Sequence, residues 1–101
     1  MSARGMAPFE TTATMSIFQI PDSPYKLRRP ILVEIERDSA GSFVVSEPST
    51  GVFHYDPDLA QAFTGFLRVF IREFEFLRDN RSNLSPALSG ELERFEQMLS
   101  I

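Results

Sequence analysis

The chain contains no cysteine, which removes disulfides, thiolate metal sites and cysteine nucleophiles together. That fits a reducing compartment, and a cytoplasmic protein is expected. Tryptophan is also missing, and His54 is the single histidine. A basic excess is missing too: Lys and Arg number 10 against 14 Asp and Glu, for a net charge of -4. A phosphate-backbone binder normally carries the opposite balance, so general nucleic-acid binding is disfavoured. There is no apolar run of about 18 residues of the kind a membrane span needs, because Arg68 and Arg72 interrupt the best candidate. Arg4 near the start is not followed by the apolar stretch and small-residue site of a signal peptide.

What the chain does have is phenylalanine, ten of them among 101 residues. That length supports one domain with one core, and a domain of this size gains from extra burial by dimerisation. Residues 1–14 mix small, polar and breaker residues without a period and read as a flexible lead, leaving 15–101 as a single domain. A short strand is expected over 16–20, ended by Pro21 and Pro24, whose rings remove donors and favour turns.

From residue 31 the pattern sharpens. Ile31, Val33 and Ile35 alternate with Leu32, Glu34 and Glu36, the period of a half-buried strand. Asp38 to Gly41 supply turn chemistry, with Gly41 free to take positive φ. Residues 42–46 return as a second strand, so the two form a hairpin. Pro48, Ser49, Thr50 and Gly51 turn the chain again, and 52–55 form a third strand.

A long helix is expected over 57–79, with Asp56 as N-cap, Pro57 at the first helical position and Asp58 at the positive end of the dipole. Its polar stripe of Gln61, Thr64, Gly65, Arg68, Arg72, Glu75 and Asp79 is narrow, and the apolar remainder wraps beyond the roughly 100° of a surface helix. Phe63, Phe66, Phe70, Phe74 and Leu77 make a seam toward the sheet. Leu67, Ile71 and Phe76 point away from it, and burying each large apolar side chain is worth roughly 1.5 to 3 kcal/mol. A second helix follows, capped by Ser85 with Pro86 next. It presents Leu88, Leu92, Phe95 and Leu99 on one stripe, with Glu91, Glu93, Arg94 and Glu96 on its polar side.

Left together in the open, such side chains would make an adhesive patch. A protein-binding or dimer interface is therefore expected at Leu67, Ile71, Phe76, Leu88, Leu92 and Phe95, with a homodimer as the simplest assembly. No cofactor is implied. The fold expected is α+β: a three- or four-stranded antiparallel sheet, one long helix across a face, and a second, C-terminal helix.

Candidate chemistry is thin. His54 reads as a strand-face residue, since a general base needs a converging nucleophile or acid and only Asp56 and Asp58 are near in sequence. Glu34, Glu36 and Asp38 alternate as carboxylates that bind Mg²⁺ in phosphoryl chemistry do. A small Mg-dependent nuclease is thus an alternative to a binding protein, as is a structural subunit of a larger assembly. Tyr25, Lys26, Arg28 and Arg29 form the one basic cluster, which reads as a solvated linker or a contact for RNA or an acidic protein.

The strand ILVEIERD at 31–38, the strand start at Gly41, Phe43, Val44, Val45 and Ser46, the turn pair Pro48 and Gly51, and Ala62 in the following helix resemble the HicB-like antitoxin domain, a partial RNase H fold. The likeness spans about residues 30–80. It implies a non-catalytic module that self-associates and neutralises a small, basic, RNA-cleaving toxin by occlusion. This chain replaces the usual helix start with His54, Tyr55, Asp56, Pro57 and Asp58. After residue 80 there is no room for a repressor domain, so direct DNA binding is not expected.

Overall fold

A computed structural model describes the backbone of residues 9–100 and the side chains of residues 13–100. Six strands and two α-helices follow in order, with a 3-10 turn at Arg81–Asn83 between the helices: β1 (Phe9–Ile17), β2 (Lys26–Leu27), β3 (Ile31–Asp38), β4 (Phe43–Glu47), β5 (Val52–Asp56), α1 (Leu59–Asp79), α2 (Pro86–Met98) and β6 (Leu99–Ser100). The fold is α+β. A four-stranded antiparallel sheet has the order β1-β3-β4-β5, and a two-stranded ribbon joins β2 to β6.

The alternation of β3 sets the sheet. Ile31, Val33 and Ile35 are buried while Leu32 and Glu34 are exposed, so one face receives the helix. Val45 of β4 and Val52 of β5 extend that inner face across the register. Gly41 takes φ +90° in the first hairpin and Gly51 φ +77° in the second turn, a region where a side chain is strained. Between those turns Glu47 is buried at the end of the inner face. Its carboxylate accepts from Ser49 N at 3.0 Å and Oγ at 2.7 Å, and from Thr50 N at 2.7 Å and Oγ1 at 2.6 Å. A buried charge is tolerated only with such partners.

The first strand differs from expectation. It runs Phe9–Ile17, where 9–14 had read as flexible lead, and it ends before the expected 16–20 segment does; residues 1–8 of that lead lie outside the described residues. The Thr-rich run 11–14 has high strand preference but little apolar period. Its order comes from pairing with β3 from Phe9↔Asp38 to Ile17↔Ile31, with an irregularity between Thr11 and Ala13.

Helix α1 starts two residues later than the sequence suggests. Asp58 is its N-cap, the side chain accepting from Gln61 N at 3.0 Å, and Asp56 instead accepts from Asp58 N at 2.9 Å. Pro57 therefore precedes the helix. The seam is as expected for Phe66, Phe70, Phe74 and Leu77, all buried, with Phe63 half-buried. For α2 the expected cap holds, Ser85 Oγ accepting from Leu88 N at 3.2 Å with Pro86 first in the helix.

Helix α2 folds back onto the seam. Phe95 meets Phe70 at 4.8 Å and Phe74 at 5.9 Å between ring centroids, and Leu92, Met98 and Leu99 are buried beside it. The chain then closes on itself, with Lys26 and Leu27 opposite Ser100 and Leu99. Arg28 strengthens the closure through its N to Met98 O at 2.8 Å and its Nε to Leu99 O at 3.1 Å. Two members of the basic cluster, Lys26 and Arg28, thus work in the ribbon. Among the described residues no helix is long and apolar enough to cross a membrane.

Two variants probe this frame. A Cβ built on Gly65 would lie 2.2 Å from the His54 ring, so Gly65→Ala is expected to destabilise by about 1 to 3 kcal/mol, despite alanine's better helix preference of about 1 kcal/mol. In a His54→Ala background the same change should be neutral or stabilising by denaturant titration; a stabilised single variant would refute the close approach. For Glu47, burial pushes the carboxyl up, but the Ser49 and Thr50 hydrogen bonds outweigh it and hold the group below its ordinary value. Its stabilisation is therefore present at neutral pH and lost as pH falls below the usual glutamate value of about 4.3. Glu47→Gln should cost about 1 to 3 kcal/mol at pH 7, with the gap to the parent narrowing in acid; a gap constant with pH would contradict the ionised, hydrogen-bonded form.

Candidate functional site

The outer face of the sheet is the side α1 does not cover. Register places Ser16 beside Leu32, then Thr14, Glu34, Ser46 and Phe53 in one row, and Glu36, Val44 and Tyr55 in the next. Strands of one sheet twist relative to one another, and this face holds a shallow concavity of about 430 Å³ lined by Glu36, Asp38, Val44, Ser46, Gly51, Phe53 and Tyr55. Leu32 is 57% exposed, Phe53 57% and Tyr55 61%. Three large apolar side chains thus stand in the open on one sheet face, and a contiguous exposed apolar patch is the usual physical mark of an interaction site.

This surface was visible in the sequence but divided. Leu32 stood in the polar half of its strand beside Glu34 and Glu36, and Phe53 and Tyr55 alternate with Val52 and His54. A strand apolar on both faces is the signal: one face belongs to the core, and the other needs a second explanation.

A second concavity lies on the helix side. The segment from Ile20 to Tyr25 passes over α1 and leaves a groove of about 560 Å³, with Leu67 and Ile71 in its floor and Arg68, Arg72, Asp22 and Glu75 among its lining. The segment is pinned at Tyr25, whose hydroxyl donates to Glu75 Oε2 at 2.7 Å and accepts from Arg78 Nη1 at 2.8 Å. Burial and the bond to Glu75 raise the Tyr25 pKa, against the pull of Arg78, so the phenol remains a donor at neutral pH. Its ring meets Phe74 edge to face at 5.3 Å.

The six residues expected at an interface do not form one patch. Leu92 and Phe95 are 2% and 0% exposed, packed in the chain's own core, and so are closed to a partner. Leu67 and Ile71 are half-buried in the groove. Phe76, 58% exposed, lies about 140° around the helix from Ile71 at 3.6 residues per turn, on the other flank. Leu88 is exposed on the first turn of α2. The surplus of α1 is thus split by its polar stripe, and α2 satisfies the Phe70 and Phe74 side of the seam.

The candidate catalytic groups are apart or occupied. His54 faces inward against Gly65, while Asp56 and Asp58 are bonded to backbone amides. Glu34 and Glu36 stand on the outer face, and Asp38 Oδ1 accepts from Ala40 N at 3.0 Å and Ser42 N at 2.9 Å within its own turn. Among the described residues, no three His, Asp or Glu side chains converge as a metal's ligand set would. Comparison with protein families, curated proteins and solved structures gives no match.

One acidic pair was not anticipated. Glu73 of α1 and Glu91 of α2 line a common crevice beside Val69 and Phe53. Burial pushes the Glu91 carboxyl up, the hydrogen bond to Glu73 and that group's charge add to it, and Arg94 pulls back. A carboxyl raised in the fold stabilises below its ordinary value and loses that contribution as pH rises through its raised one. Glu91→Gln is therefore expected to raise stability at pH 7 by a few tenths of a kcal/mol to about 1 kcal/mol, and to change little near pH 4. Melting curves at the two pH values decide it, and a loss of stability at pH 7 would mean that Glu91 is paired favourably after all.

Proposed function

We propose that this chain is a non-catalytic protein-binding module of the HicB antitoxin type, a homodimer that occludes a small, basic, RNA-cleaving toxin in the cytoplasm. The observation that carries the reading is the outer sheet face, where Leu32, Phe53 and Tyr55 stay more than half exposed and no element of the described chain lies over them. Support for the family comes from the order of β3, β4, β5 and α1, the order the likeness implies, and from Gly41 and Gly51, both at positive φ in the turns that carry its motif.

Self-association and partner binding use different sides. The groove beside α1 carries both signs of charge, Arg68 and Arg72 with Asp22 and Glu75, around apolar Leu67 and Ile71. A two-fold contact brings each surface against itself, so a surface with both signs pairs well with its own copy. That leaves the outer face for the toxin, and an apolar centre excluding water is the usual basis of such occlusion.

Co-expression with the product of the adjacent reading frame is expected to yield a stable complex and to relieve RNA cleavage by that product. Light scattering at micromolar concentration is expected to show a dimer, weakened by Ile71→Asp with the fold retained by circular dichroism. A monomer at all concentrations, with no complex from co-expression, would end this reading.

A further inference from the structure

We propose that the outer sheet face docks a basic protein surface, one that presents arginine or lysine around an apolar centre. The existence of a partner rests on the binding-module reading; the place and the chemistry rest on the face itself. Its described positions Thr14, Ser16, Leu32, Glu34, Glu36, Val44, Ser46, Phe53 and Tyr55, with Asp38 at the rim, include three carboxylates and no lysine or arginine. The nearest arginine in the strand, Arg37, belongs to the other face, where its guanidinium lies 4.9 Å from the Phe43 ring centroid.

The carboxylates of Glu34 and Glu36 have no side-chain hydrogen bond or ion pair among the described residues, so they can accept from an incoming donor. A second copy meeting this face would bring carboxylates against carboxylates, and like charges opposed across an interface are costly. Nucleic acid and anionic lipid are repelled for the same reason. Guanidinium groups fit best, since they bond carboxylates in a fixed fork and also stack on exposed rings such as Phe53 and Tyr55. The chain's net charge of -4 adds attraction at longer range.

Placement matters as much as sign. The carboxylates come from β3 and the rings from β5, with β4 and its small Ser46 and Val44 between them. The centre of the face is therefore low and its two sides are chemically distinct. A partner with a basic edge and an apolar ridge would engage both at once, in one orientation. The balanced groove beside α1 offers no such discrimination.

Amide NMR on the full chain tests this with two short synthetic peptides, one of arginine and leucine and one of glutamate and leucine. The arginine peptide is expected to shift resonances of β3, β4 and β5 on the outer face. Affinity should fall about tenfold or more in Glu34→Lys/Glu36→Lys and by a similar factor in Phe53→Ser, with high salt weakening the charged contribution. Glu34 and Phe53 are exposed and Glu36 half-buried on the outer face, and retained α1 and β1 resonances would verify the fold. Shifts confined to the groove, equal binding of the glutamate peptide, or a self-association abolished by Phe53→Ser would each overturn the proposal. If the adjacent-frame product binds and ignores Glu34→Lys/Glu36→Lys, the docking surface falls and the module reading stands. If the arginine peptide maps to this face while that product does not bind, the antitoxin reading falls and the surface stands.

Discussion

At Gly65 the axis of α1 comes close enough to β5 that the His54 ring fills the space a side chain would need. The rest of the molecule depends on that approach. With the helix held against the sheet there, Phe66 and Phe70 are fully buried in one core with Val33 and Val45, and α2 finds a surface of phenylalanine rings on which Phe95 can rest. A bulkier residue at 65 would lift the start of the helix and open the seam from one end. Glycine within a helix costs up to about 1 kcal/mol relative to alanine, so its place here reflects packing and not helix preference.

Much of this architecture is legible in the residues. The alternation of Ile31, Val33 and Ile35, the glycines at 41 and 51, the phenylalanine seam and the Ser85 and Pro86 cap are local signals, each fixed by its own neighbours. What was hidden is non-local. The strand at 9–17 is too polar to announce itself and takes its order from β3. The cap of α1 was misplaced because Asp56 and Asp58 are both good acceptors, and only the folded chain shows that Asp58 takes Gln61 N. Leu92 and Phe95, expected at an interface, are buried against the chain's own phenylalanine seam. Helical spacing identifies an apolar stripe but is silent on whether the surface that covers it belongs to the same chain, and here it does.

The acidic groups divide by environment. Glu47 is buried and ionised because two hydroxyls and two amides surround it; Glu91 is pushed toward its neutral form by burial first and then by the carboxylate of Glu73 across the helix pair. Acid weakens the turn that joins β4 to β5 while relaxing the contact between α1 and α2, so the two halves of the core answer a pH change in opposite senses. Glu34 and Glu36 belong to neither group. They stand on the outer sheet face, Glu34 exposed and Glu36 half-buried, with no cation at the described positions around them.

The ribbon between β2 and β6 joins residues more than seventy positions apart, with Arg28 Nε reaching Leu99 O across a separation of 71. Closing so long a loop is entropically costly and slow relative to forming hairpins. The sheet and α1 can therefore assemble first, with the last turn of α2 docking as a late step. In the native state the same ribbon is short, with two paired positions, so it has few backbone bonds to lose on local opening. Transient opening there would uncover Met98 and Leu99 along with the Phe95 side of the seam. Among the described residues, such an opening would offer a protease or a chaperone the last turn of α2 while the sheet stayed formed.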